Sequence, residues 1–155
     1  MDKYTDVLAA LTTRTGVPFR PAKPGSLAAL RKLDFPETII AFYAEHEPAG
    51  LVEVKIRLWH IKHIVLENAP SMPGMFSSPV GFPVFATTTF GDTYCFNLAA
   101  AEGEDGPPVV ILSHEIINQE VTSNEIAEVA KPVAHSLLVF LEKMVAGTVD
   151  EEPIC

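Results

Sequence analysis

The sequence predicts an α+β domain, an antiparallel sheet of short strands with helices packed mainly on one side. Apolar residues recur at helical spacing up to Ala49, alternate with a period of two from Leu51, and return to helical spacing from Ala134. The strand-like runs form one block joined by tight links, and a βαβ alternation with its nucleotide crevice is absent. With 155 residues, 48% of them apolar, the chain carries material for one core and reads as a single domain over 1–155.

The elements follow in order. In "DKYTDVLAALTTRT", Tyr4, Val7, Leu8 and Leu11 share one helical face, and Gly16-Val17-Pro18 ends the helix. "PFRPAKPGS" reads as an extended linker, because each proline fixes φ and removes an N–H. Ser26 is the expected cap of a short helix, "LAALRKL". In "DFPETIIAFYAEHEPAG", Asp34 is the expected cap and Pro36 lies near the first turn, where its missing N–H costs nothing. Ile39, Ile40, Phe42 and Tyr43 supply the inward side, and Pro48 with Gly50 stops the helix.

"LVEVKIRLW" alternates Val52, Val54, Ile56 and Leu58 against Glu53, Lys55, Arg57 and Trp59, as one half-buried strand does. "IKHIVLENA" reads as a neighbouring strand, and "APSMPGMFSSPVG" as the longest loop. "FPVFATTT" and "TYCFNLA" are two strands joined at Phe90-Gly91-Asp92, with Tyr94 and Phe96 facing one way and Cys95 the other. "AAEGEDGP" is an acidic loop and "PVVILSHE" a central strand with a near-continuous apolar run. "VTSNEIAEVA" fits helix or strand. "AHSLLVFLEKMVAG" is a closing helix with Leu137, Leu138, Phe140, Leu141, Met144 and Val145 inward and Gly147 at its end, and 148–155 reads as a frayed tail.

Charge narrows function. Residues 1–100 hold nine acidic and nine basic residues, whereas 101–155 hold eleven acidic residues against Lys131 and Lys143, so the whole net charge of −9 sits in the last third. Such a surface repels nucleic acid, whose affinity comes from Lys and Arg on phosphate, and attracts a basic partner. Acidity also keeps a small protein soluble, and both readings stand. No apolar run approaches the roughly 18 residues of a membrane span. The charged, amphipathic N-terminus does not read as a signal peptide, so a cytoplasmic protein is expected.

Sites of chemistry are sparse. No GxGxxG or GxxxxGK[ST] is present, so no phosphate cradle is expected. The two cysteines, Cys95 and the terminal Cys155, make neither a disulfide framework nor a zinc pattern. His60 and His63 in "WHIKH" fall on opposite faces of a strand unless a turn at His60-Ile61 brings them together. His114-Glu115 lacks the second histidine of HExxH, so no metal and no cofactor is expected. A small hydrolase using Cys95 and His114, with Asp92, requires adjacency that nothing in the sequence supplies, and no GxSxG elbow is present. The Gly91-Asp92 pair is what a tight strand connection asks for: Gly tolerates positive φ and Asp caps nearby N–H groups.

Taken in order, "LDFPETIIAFYAEHEPAG", "FATTTFGDTYCFNL", "PPVVILSHE" and "VAHSLLVFLEKMVAG" resemble the SUKH superfamily, which includes Smi/Knr-like fungal cell-wall regulators and bacterial immunity proteins. Phe35-Pro36-Glu37, Gly91-Asp92, His114-Glu115, and Ser136 with Phe140 and Leu141 stand at its signatures, over roughly residues 25–147. The chain departs from the pattern at His46-Glu47-Pro48-Ala49-Gly50, at Asn97 where an acidic residue is frequent, and at Leu137 where an aromatic is usual. The resemblance implies a non-enzymatic domain that binds another protein, as an immunity protein neutralising a basic toxin such as a nuclease, or as a regulatory or scaffolding domain without a toxin partner. The expected contact surface comprises Asp92, Glu102, Glu104, Asp105 and Glu115, with Met75 and Phe76 of the Met72–Phe76 loop as adaptable apolar contacts.

Overall fold

A computed structural model describes residues 2–69, 74–100 and 106–153. The chain forms seven helices α1 (Thr5–Thr15), α2 (Pro24–Lys32), α3 (Glu37–Glu45), α4 (Ile61–Asn68), α5 (Gly74–Ser77), α6 (Ser123–Val129) and α7 (Leu137–Ala146), among the described residues. Its strands are β1 (Phe19–Arg20), β2 (Glu47–Pro48), β3 (Val52–Val54), β4 (Ile56–Leu58), β5 (Val84–Thr87), β6 (Thr93–Phe96), β7 (Val109–Leu112) and β8 (Lys131–Ala134). Strands β3 to β8 make one six-stranded sheet in sequence order, every neighbouring pair antiparallel, and β1 pairs with β2 in a separate ribbon. The α+β architecture predicted from the sequence is therefore the observed one.

The centre of the sheet is buried on both faces, which is why every residue of β5, β6 and β7 is shielded from solvent. On one face Phe85, Tyr94, Phe96, Val109 and Ile111 pack against α1, α2, α3, α4 and α7 in the main core. Phe85 stacks on Phe96 with centroids 4.2 Å apart, and Phe140 of α7 meets Phe85 and Tyr94 edge-on at 5.1 and 5.0 Å. On the other face Val84, Cys95, Val110 and Leu112 pack with Phe82, Ile117 and Ile126, under the shorter α5 and α6 segments. A bulge places Phe85 as an extra residue between the Val84–Cys95 and Ala86–Tyr94 pairs, so that Val84 and Phe85 serve opposite cores.

Several local expectations are corrected. α2 begins at Pro24, with Lys23 and not Ser26 as its cap, because proline is preorganised for the first helical position. Asp34 does not start α3; it closes α2. With φ at 62°, its N–H donates to Arg31 O and that of Phe35 to Leu30 O, while buried Phe35 and Leu30 share the core. α3 stops at Glu45, before Pro48, because Glu47–Pro48 pairs with Phe19–Arg20 of the presumed linker.

The expected single strand at Val52–Leu58 is a hairpin reversed at Lys55, whose φ is 64°. Val52 pairs with Leu58 and Val54 with Ile56, so all four keep one face and the alternation cannot reveal the reversal. "IKHIVLENA" is helix α4, not a strand, with Ile61, Ile64 and Asn68 buried one turn apart. The buried Asn68 amide donates to Ile64 O and Val84 O, and its carbonyl accepts from Val84 N, tying α4 to β5. The presumed loop after it holds α5 and a 3₁₀ turn (Ser78–Val80), while 70–73 lie outside the described residues. Gly74 is demanded there, since a Cβ would lie 1.8 Å from Glu67 O.

The ambiguous segment is helix α6, opened by a reciprocal Thr122–Glu125 capping box. It leads into β8, an edge strand that tolerates Pro132 and that no alternation in the sequence announces. In α7, Leu137, Phe140, Leu141 and Met144 are buried, whereas Leu138 and Val145 are only partly covered. The tail is not frayed over 148–153. Tyr94 Oη donates to Asp150 O at 2.8 Å, Lys131 Nζ donates to Glu152 O at 2.9 Å and pairs with Asp150 Oδ2 at 2.7 Å, and Val149 packs on the core.

Candidate functional site

The β5–β6 connection is built from its own residues upward. Thr88 is buried, and its hydroxyl accepts from Phe90 N at 3.2 Å and Asp92 N at 3.1 Å, while Thr88 N donates to Asp92 O at 2.9 Å. Gly91 sits at φ 96°, where a side chain is strained, and the His114 ring lies 3.7 Å from the point a Cβ would occupy. The Asp92 side chain is only 11% exposed. Its Oδ1 accepts from His114 N at 3.1 Å and meets His114 Nδ1 at 2.7 Å. An ionised carboxylate only accepts, so Nδ1 carries the proton in this pair. Asp92 thereby fastens the hairpin corner to the chain leaving β7.

Around this corner lies a cleft of about 610 Å³, lined by Phe90, Asp92, Ser113, His114, Glu115, Glu151, Glu152 and Pro153. Three separate pieces of chain meet there: the hairpin turn, the end of β7 and the docked tail. No Lys or Arg is among the lining residues, and none of Glu115, Glu151 and Glu152 has an ion pair to its carboxylate among the described residues. Burial, and then the charges of Glu151, Asp150 and Asp92, push the Tyr94 hydroxyl above its usual range, so it remains a donor to the tail. The hydrogen bond from Lys131 and that from Glu152 N hold the Asp150 carboxyl below its usual range. Phe90 stands at the rim with 76% of its surface exposed.

Of the residues singled out in the sequence, Asp92 and Glu115 meet in this cleft together with His114. Glu102, Glu104 and Asp105 lie outside the described residues. Met75 and Phe76 line a different depression of about 350 Å³ with Pro79, Val80, Glu120 and Val121, so the structure does not join them to Asp92. Phe90, Glu151 and Glu152 were missed. An aromatic at a turn apex, where small or polar residues are usual, was a signal for the first. The tail carboxylates had none, because their placement depends on Tyr94 and Lys131, far away in sequence.

The hydrolase grouping does not assemble. Cys95 points into the opposite core at 0% exposure, does not line the cleft, and burial pushes its thiol up to about 12, leaving no thiolate near neutrality. Among the described residues no Ser, Thr or Cys side chain hydrogen-bonds Nε2 of His114, and the Ser113 hydroxyl is buried, accepting from Glu115 N. His60 caps α4 and His63 lies in its first turn, their rings 6.4 Å apart. His63 stacks on Trp59 at 3.5 Å and approaches Glu67 at 3.4 Å. Among the described residues the grouping with metal-ligand spacing is Asp2, Glu45 and His46, whose ligand atoms lie within 4.8 Å of one another. There Nε2 of His46 is held by Asp2 Oδ2 at 2.5 Å and Asp2 Oδ1 accepts from Tyr4 N, and the bond from His46 draws the Asp2 carboxyl below its usual range.

No protein-family model matches the chain, and no curated protein matches it. No helix among the described residues is long and apolar enough to cross a membrane.

Proposed function

We propose that this chain is a SUKH-type protein-binding module that acts in the cytoplasm as an immunity protein, occluding a basic toxin domain such as a nuclease. The observation that carries the reading is the cleft in which the carboxylates of Glu115, Glu151 and Glu152, without an ion pair among the described residues, stand beside the exposed Phe90. A nuclease must present a cationic surface to hold phosphate, and a fixed array of carboxylates offers that surface a competing anionic field. Burial of Cys95 on the opposite face supports recognition at the cleft over thiol hydrolysis.

The test is affinity capture from the cell of origin in low and high salt, with wild type and a Glu115→Lys/Glu151→Lys variant. The expected result is a basic protein retained at low salt, released at high salt and not retained by the variant. Retention that ignores both salt and charge reversal, or no retention in either salt, overturns the proposal.

A further inference from the structure

We infer that the cleft recognises a guanidinium group, an arginine side chain of the partner laid on Phe90 with Glu115, Glu151 and Glu152 as its acceptors. The inference rests on the protein-binding reading above and deepens it by naming the side chain that is read.

Phe90 is the starting point. Every other phenylalanine among the described residues is buried or half-buried, whereas Phe90 keeps 76% of its surface in water at the apex of a turn. A ring so exposed owes little to packing among the described residues. The turn beneath it is held by the Thr88 hydroxyl and by the Asp92–His114 bonds, so the platform is in place before any partner arrives and little ordering remains to oppose binding.

A ring alone would suit any apolar contact, and carboxylates alone any cation. The two together in one cleft select a cation that is planar and weakly hydrated. An aromatic face attracts such a cation through its quadrupole, and arginine is the more frequent partner. The guanidinium fork also donates in pairs to carboxylates, while the lysine ammonium is a compact, strongly hydrated charge that gives up more solvation on stacking. At about 610 Å³ the cleft exceeds one side chain, so chain on either side of the arginine enters as well. A divalent metal ion would use the carboxylates and have no use for the ring.

The test titrates the full chain with the peptide acetyl-Gly-Arg-Gly-Arg-Gly-amide, its lysine twin and its citrulline twin, followed by amide NMR. Amides of Phe90, Gly91, His114, Glu115 and Glu151 are expected to shift. The arginine peptide should bind about threefold more tightly than the lysine twin, the advantage an exposed cation–π contact confers. The uncharged citrulline twin should cause no shift. Phe90→Ser, a change at an exposed site that leaves the fold intact, should reduce the arginine advantage, leaving only what the paired bonds to the carboxylates supply. Shifts that map elsewhere, equal binding of arginine and lysine peptides, or a preference undiminished by Phe90→Ser overturn the inference. Affinity capture separates the two levels. Undiminished capture by Phe90→Ser removes the guanidinium inference and leaves the binding reading, whereas no capture by wild type removes the reading itself.

Discussion

Replacing Asp92 by Ala measures what the Gly-Asp corner does. The carboxylate accepts from both the backbone and the ring of His114, at 3.1 and 2.7 Å, and is nearly buried. A hydrogen bond to a charged acceptor is worth about 1.5–3 kcal/mol, and the partly buried His114 N–H would be left without its partner. The ring bond adds less, because the His114 side chain is 41% exposed and water replaces the lost partner. The expected loss is therefore about 2–3 kcal/mol, or a fall in Tm of roughly 4–12 °C for a chain of this size. Urea unfolding with unchanged m-value, together with a thermal scan, gives the number. Asp92→Asn keeps one acceptor oxygen and should lose less. A loss below about 0.5 kcal/mol in Asp92→Ala, the scatter of ordinary surface changes, would refute the reasoning that this carboxylate fastens β5–β6 to the end of β7.

Further outcomes follow from the packing. Phe140→Ala removes the ring that meets Phe85 and Tyr94 edge-on and should cost about 3–5 kcal/mol by the same urea measurement. The folded-state carboxyl of Asp150 lies below its unfolded value, so its contribution is full above about pH 4 and is lost as pH falls through the folded value. Tail signals around 148–153 in NMR should therefore move toward random-coil positions on acidification, and Lys131→Ala should produce that change already at neutral pH. Cys95, fully buried with its thiol pushed up to about 12, should resist a thiol reagent at pH 8 in a Cys155→Ser background until the chain is unfolded.

Legibility in the sequence followed locality. The faces of α1 and α7, the hairpin around Gly91-Asp92 and the opposite orientation of Cys95 from Tyr94 and Phe96 were readable, because each depends on periodicity or turn chemistry within a few residues. α4 is not legible locally, because Ile61, Ile64, Val65 and Leu66 form a short apolar run that fits either period; its burial against α2 and β5 decides for the helix. Lys55 hid a reversal, since residues paired across it share the face that simple alternation would assign them. Asp34 looked like the start of one helix and proved to be the end of the one before.

The amino-acid order by itself determined the α+β class, the placement of the acidic charge in the last third, and the turn at Gly91-Asp92. Each arises from spacing or composition along the chain. Only the tertiary structure decided that Phe90, Glu115 and the tail residues Glu151 and Glu152 border one cleft, and that Met75 and Phe76 do not. The cleft depends on a tail held by Tyr94 and Lys131 and on a corner tied to His114. Those bonds join residues tens of positions apart, and side-chain contacts of that range leave no period in the sequence to read.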